Sequence, residues 1–202
     1  MTLKRLALFV SGSGTNMENI LRQIKEGKIQ AEAALVVSDR PEAAALKRAR
    51  PFGVECVVIE RKKFASKEDF EAEICRHLER KKIDYLLLAG FMKILSPSFV
   101  KAYAGRILNL HPALLPNFPG AHAIRDAWEK KVPVTGATVH FVDEGVDTGP
   151  VILQHEVRLD PSDTLETLEK KIHTVEYELY PKAIRLVLEG KIKSKHLEER
   201  KR

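Results

Sequence analysis

Asn109 and His111 stand two residues apart at the end of an apolar run, Ile107-Leu108-Asn109-Leu110-His111, that Pro112 stops. Side chains alternate faces along a strand, so the amide and the imidazole should point the same way. The amide offers two N–H donors, and the imidazole can hold a proton near neutral pH. Such a pair suits a reaction in which negative charge builds on a carbonyl oxygen while a proton moves, as in acyl or formyl transfer. An acidic loop, Asp143-Glu144-Gly145-Val146-Asp147-Thr148-Gly149-Pro150, follows a later strand-like stretch. A carboxylate from it is expected to contact the imidazole, fix its tautomer and raise its pKa. Composition does not rank Asp143, Glu144 and Asp147, and a solvated turn is the alternative for the whole loop.

A second chemical feature is Ser11-Gly12-Ser13-Gly14-Thr15-Asn16, between an expected strand and an expected helix. Bare backbone N–H groups at a helix N-terminus make an anion site. A dinucleotide fingerprint would need a third glycine at position 17, which is Met17, and a Walker loop would need a lysine that is missing. Two readings stay open: a site for one phosphate beside the Ser13 and Thr15 hydroxyls, or a tight turn with a capped helix. Among the histidines, His140 shares a strand face with Thr138 and has two readings, a lining of the same pocket or a hydrogen-bonded core residue, of which the second is favoured. His77 lies among charges, and His122, His155, His173 and His196 are scattered. No two histidines have zinc spacing and no cysteine lies near one, so no metal is inferred. Gly-x-Ser-x-Gly is absent, which favours direct transfer without a covalent enzyme intermediate.

These residues need a scaffold, and the chain reads as alternating strands and helices. Strands are expected at 4–10, 34–37, 55–59, 84–89 and 106–110, with helices at 16–28, 42–50, 66–81 and 99–103. This alternation predicts an α/β fold with a mostly parallel twisted sheet of about seven strands and helices on both faces. Residues 112–121, rich in Pro and Gly, should form a loop, and 124–131 a helix. Residues 136–142 and 151–158 should be antiparallel strands. The stripe Leu165, Leu168, Ile172, Val175, Leu179, Ile184 and Leu188 predicts a last helix over 163–189. Asp163 with Glu166 offers a capping box, and Pro181 should bend or break the helix. One domain is expected over 1–190, its first half ending near residue 100, followed by a charged tail at 191–202.

Composition excludes other classes. The formal charge of +6 is concentrated beyond residue 190, where six bases meet two acids; the first 190 residues carry 28 bases and 26 acids. This distribution argues against nucleic-acid binding. No signal peptide precedes the first strand and no apolar run reaches a membrane span, so a cytoplasmic protein is expected. Cys56 and Cys75, without metal-ligand spacing, read as two buried reduced thiols.

Asn109-x-His111-Pro112, Leu114-Leu115-Pro116, and Asp147 downstream of the histidine resemble the folate-dependent formyltransferases. The turn at 11–16, Ala89-Gly90-Phe91-Met92-Lys93-Ile94-Leu95-Ser96-Pro97 and the 143–149 loop narrow the resemblance to the members that formylate phosphoribosylglycinamide in de novo purine synthesis. The motifs cover roughly residues 4–190 in matching order. The resemblance implies 10-formyltetrahydrofolate as co-substrate, no metal, no nucleic-acid or membrane partner, and a monomer or homodimer. It makes Asn109, His111 and Asp147 the catalytic triad. It gives Gly14, Thr15 and Asn16 to the phosphate of the ribonucleotide and Glu176 to its ribose. It gives Lys67, Met92, Lys93, Ile94, Leu95, Asn109, Asp143, Glu144, Gly145 and Val146 to the folate. The chain departs from the family with Lys67 and Lys93, and with Ala121 in the loop. The implied reaction is direct attack of an amine on the formyl carbon, with Asn109 and a protonated His111 holding the oxyanion and Asp147 keeping His111 charged.

Alternatives remain. A formyltetrahydrofolate hydrolase usually carries an N-terminal regulatory domain, whereas this chain starts at its first strand. An initiator-tRNA formyltransferase would need a further C-terminal domain. A non-catalytic mononucleotide sensor would leave Asn109, His111 and Asp147 without a purpose.

Overall fold

The computed structural model describes residues 2–194; the end of the expected charged tail, 195–202, lies outside the described residues. Seven strands follow the hydrogen-bonded order β3-β2-β1-β4-β5-β6-β7: β1 (Lys4–Val10), β2 (Ala31–Ser38), β3 (Cys56–Val58), β4 (Tyr85–Leu88), β5 (Ile107–His111), β6 (Val134–Phe141) and β7 (Val151–Arg158). This is the expected α/β sheet. The chain divides into two compact units between Leu108 and Asn109, somewhat later than the expected midpoint near residue 100.

In the first unit β1 pairs parallel with β2 and β4, and β2 pairs parallel with β3. Leu6 to Val10 are fully buried, as suits a strand with both faces covered. Helices α1 (Thr15–Lys25), α2 (Ala44–Ala49), α3 (Lys67–Arg80) and α4 (Pro97–Ala102) connect the strands. Helix α1 buries Met17, Ile20 and Leu21, and α3 buries Phe70, Ile74 and Leu78, the apolar faces their spacing predicts. Helix α1 stops three residues short of expectation. The N–H groups of Gly27 and Lys28 turn back onto the carbonyls of Ile24 and Gln23 and close its last turn. Strand β2 starts three residues early, at an Ala-Glu-Ala stretch of weak strand propensity that pairing with β1 recruits.

In the second unit β6 and β7 pair antiparallel, as expected of two strands around a short loop; β6 starts two residues early and β7 has the expected bounds. Helices α5 (Ala123–Glu129) and α6 (Leu165–Leu188) complete it. Leu168 and Ile172 of α6 pack with Val157 of β7, flanked by Ile124, Leu159 and Val175. One expectation about α6 fails, and of the two outcomes expected at Pro181 the break does not occur. The capping box is Thr164 with Thr167, not Asp163 with Glu166; the Thr164 side chain accepts from the Thr167 N–H and Thr167 returns the bond. Asp163 instead accepts from the Asp160 N–H and pairs with Lys171. Nor does Pro181 break the helix. It is buried, and packing of the neighbouring Leu179, Tyr180, Ala183 and Ile184 carries the helix past the missing N–H. The thiols also differ from expectation: Cys56 is exposed and Cys75 half-buried, because β3 presents Cys56 outward.

Candidate active site

The second unit gathers four polar side chains. Asn109 and His111 project from the end of β5, and both reach the carboxylate of Asp147. The amide nitrogen of Asn109 lies 3.3 Å from Asp147 Oδ1, and His111 Nδ1 lies 3.3 Å from Oδ2. The same-face expectation therefore holds. Asp147, rather than Asp143 or Glu144, makes the contact. Asp143 accepts from Gly145 N–H and the Thr148 hydroxyl and so closes its own loop, while Glu144 is exposed. Asp147 has a left-handed backbone, φ 56°, which turns its carboxylate toward the imidazole. Gly149 makes that turn feasible: a Cβ there would lie 1.8 Å from the Phe141 carbonyl oxygen.

His140 is the fourth member: it is the buried, hydrogen-bonded residue expected, and it lines the site as well. Its Nε2 lies 3.2 Å from the Asn109 amide nitrogen and 3.5 Å from Asp147 Oδ1, and its Nδ1 lies 2.8 Å from the Phe141 carbonyl. Alternation along β6 put Thr138 and His140 on one face, and this was the available signal. Thr138 serves the site indirectly. Its hydroxyl donates to the Ala113 carbonyl and accepts from Leu115 N–H, which ties the start of the 112–121 loop to β6. That loop returns to the catalytic groups. The Gly120 N–H donates to Asp147 Oδ2 at 2.8 Å, and the Phe118 carbonyl lies 2.8 Å from His111 Nε2.

Electrostatics departs from the sequence-based expectation. Burial pulls the His111 pKa below the ordinary 6.5, against the opposing pull of Asp147 and the Phe118 carbonyl. Burial would likewise raise Asp147, but His140, the Gly120 N–H and His111 together outweigh it and hold the carboxyl down at about 2. The site at neutral pH is thus an ionised carboxylate beside a neutral imidazole. Each ring nitrogen of His111 faces an acceptor, so the neutral ring is one hydrogen short and a gained proton meets a partner on either side.

The remaining predicted residues fall in two places. In the second unit Glu176, on α6, is buried and its Oε2 lies 2.8 Å from His173 Nδ1. Gly145 and Val146 are exposed on the acidic loop. In the first unit Thr15 and Asn16 open α1, and Gly14 is its N-cap and supplies no side chain to cap it. Only glycine fits here: φ is 74°, and a Cβ would lie 2.4 Å from the Cβ of Ala45. Lys67 opens α3 and is partly exposed. Met92 and Ile94 are 57% and 71% exposed, whereas the Leu95 side chain is buried. Among the described residues no group of His, Cys, Asp or Glu is arranged to hold a metal ion, and no helix is long and apolar enough to cross a membrane.

Comparison with known proteins gives a consistent result. A family model described as "Formyl transferase" matches residues 4–184. The phosphoribosylglycinamide formyltransferase of Bacillus subtilis is 42% identical over 92% of this chain and 95% of its own length. The crystal structure of glycinamide ribonucleotide transformylase 1 from Symbiobacterium toebii superposes with a TM-score of 0.91 at 43% identity, covering 93% of this chain and 89% of that one. The corresponding Geobacillus kaustophilus structure has a TM-score of 0.90 at 48% identity, covering 93% and 100%.

Proposed function

Because this chain belongs to the formyl transferase family, we propose that it transfers a formyl group from 10-formyltetrahydrofolate to the amine of 5'-phosphoribosylglycinamide in purine synthesis. The observation that carries the reading is the convergence of Asn109 and His111 on one ionised carboxylate, Asp147, in a chain with relatives of that name.

The amine attacks the formyl carbon and forms a tetrahedral intermediate. Neutral His111 takes the proton that the amine sheds, and the imidazolium that results lies against Asp147. This replaces the expectation of a histidine charged from the start. The charge on His111 arises only as the oxyanion arises, so its attraction to Asp147 and to that oxygen favours the transition state over the ground state. Asn109 turns one Nδ2–H from its partners in the free site, His140 and Asp147, to the oxyanion, and the contact it keeps holds the amide in place. The proton on His111 then passes to the departing folate nitrogen, and the intermediate collapses to formylated amine and tetrahydrofolate. Gly14, Thr15 and Asn16 take the phosphate, and Glu176 the ribose hydroxyls. Lys67, Met92–Leu95 and the Asp143–Val146 loop take the folate.

Mixing the protein with 10-formyl folate, with and without the ribonucleotide, and following deformylation by absorbance tests this reading. Turnover only with the ribonucleotide is expected. Turnover without it would make the protein a hydrolase, and no turnover in either mixture would overturn catalysis.

A further inference from the structure

Two buried carboxylates in the first unit play no part in the transfer chemistry. Asp39, just past β2, has a side chain 1% exposed, and neither oxygen accepts a hydrogen bond. The ammonium of Lys93 lies 3.6 Å from its Oδ2. Glu71, on α3, is 4% exposed. Its Oε1 accepts from the Ser96 N–H at 2.7 Å, and its Oε2 from the Ser96 hydroxyl. A buried carboxylate is costly unless its partners are fixed, so both should be retained for a reason of placement.

Both hold the same short segment, residues 90–96, which is neither helix nor strand. The end of β1 holds its start: Ser11 N–H donates to the Gly90 carbonyl at 3.0 Å, and Met92 N–H donates to the Ser11 hydroxyl at 2.8 Å. Phe91 turns inward and meets the Phe9 ring edge-on at 5.3 Å. Asp39 holds the middle through Lys93, and Glu71 holds the end through Ser96, whose hydroxyl also caps α4. Between these anchors Met92 and Ile94 stay exposed. An irregular segment anchored at three points, with Phe91 and Leu95 buried beneath it and Met92 and Ile94 outward, is a pre-formed wall rather than a collapsed loop.

We propose that Asp39 and Glu71 are positioning residues that fix residues 90–96 as a pre-organised wall for the planar heterocycle of the formyl folate. The proposal rests on the reading above that Met92–Leu95 take the folate. Asp39 acts through Lys93 and Glu71 through Ser96; neither touches the ligand. Losing either latch frees the segment, so ordering it again costs folate affinity and spares the chemical step and the ribonucleotide.

Steady-state kinetics of Asp39→Asn, Glu71→Gln and Lys93→Met, each checked for an unchanged melting temperature, test this. The expected result is a KM for formyl folate raised about tenfold in Asp39→Asn, with kcat and the ribonucleotide KM within about twofold of wild type. Glu71→Gln, which keeps an acceptor for Ser96, should show a smaller rise. Adding Lys93→Met to Asp39→Asn should raise the folate KM by less than the product of the two single effects, because both substitutions remove the same contact. An unchanged folate KM, or equal losses on both substrates, in a folded variant overturns the proposal. Should both buried variants fail to fold, Lys93→Met alone decides: a folate KM that stays at the wild-type value overturns the Asp39 latch. Ile94→Asp separates the two layers. If it leaves folate KM unchanged, the wall reading falls and the latch with it; if it raises KM while the latch variants do not, only the latch falls.

Discussion

Two histidine–carboxylate pairs in the second unit have the same chemical make-up and opposite electrostatics. His111 faces Asp147 at 3.3 Å and has its pKa pulled down; His173 faces Glu176 at 2.8 Å and has its pKa pushed up. Both pairs use Nδ1. The difference is solvent: the His111 side chain is 4% exposed and that of His173 48%. For His173 the hydrogen bond its ring donates to Glu176 is the strongest influence, and water still supports the cation. For His111 burial dominates, and the carboxylate offsets it only in part. An imidazole beside a carboxylate is therefore not a charged imidazole by default; what surrounds the pair decides.

The comparison can be broken most forcefully at His111. His111→Ala should lower kcat by about 10²–10⁴-fold, the usual range for a lost acid–base group, while ribonucleotide binding by calorimetry persists. Near-normal turnover would remove the base from the account. Asp147→Asn should cost about 10²-fold or more, since the imidazolium loses its counter-charge in the transition state. It should also move the acid limb of the pH–rate profile to lower pH, because the variant lacks the group that pulls His111 upward. In the wild type that limb should lie below 6.5, activity falling as the base becomes protonated.

The structural consequences are smaller. Gly149→Ala forces a Cβ against the Phe141 carbonyl and should cost about 1–3 kcal/mol of stability, read as a lower melting temperature, with kcat falling as Asp147 shifts. The two histidines should contribute to stability with opposite pH dependence. His173 has a raised pKa, so its stabilisation is full below 6.5 and fades as pH rises through its folded value. His111 has a lowered pKa, so it removes stability as pH falls below 6.5. Melting temperatures of His173→Asn and wild type should therefore differ in mild acid and converge at alkaline pH, with kcat changed by less than about twofold. A gap that widens with pH would reverse the assignment.

Much of this arrangement is legible in the chain. The strand expected at 151–158 matches β7 to the residue, and the spacing of Asn109 and His111 alone puts both on one face. Helix interiors follow their apolar spacing, whereas ends depend on particular hydrogen bonds. Hence the box at 163–166 goes to the neighbouring threonines, and Pro181 sits inside a packed helix. In the acidic loop, three carboxylates look alike until a left-handed turn at Asp147 selects one. The pKa of His111 was misjudged because composition shows its charged partner and not its burial. Asp39 and Glu71 were invisible for a related reason: their partners lie 54 and 25 residues away in sequence.

The titration of His111 in the ligand-free protein, followed by NMR of its labelled imidazole, tests the central claim most directly. The account predicts a midpoint below 6.5 and a ring that is neutral at pH 7. A midpoint above 6.5 would mean that Asp147 holds the cation from the outset, and would contradict a base that acquires its charge only during transfer.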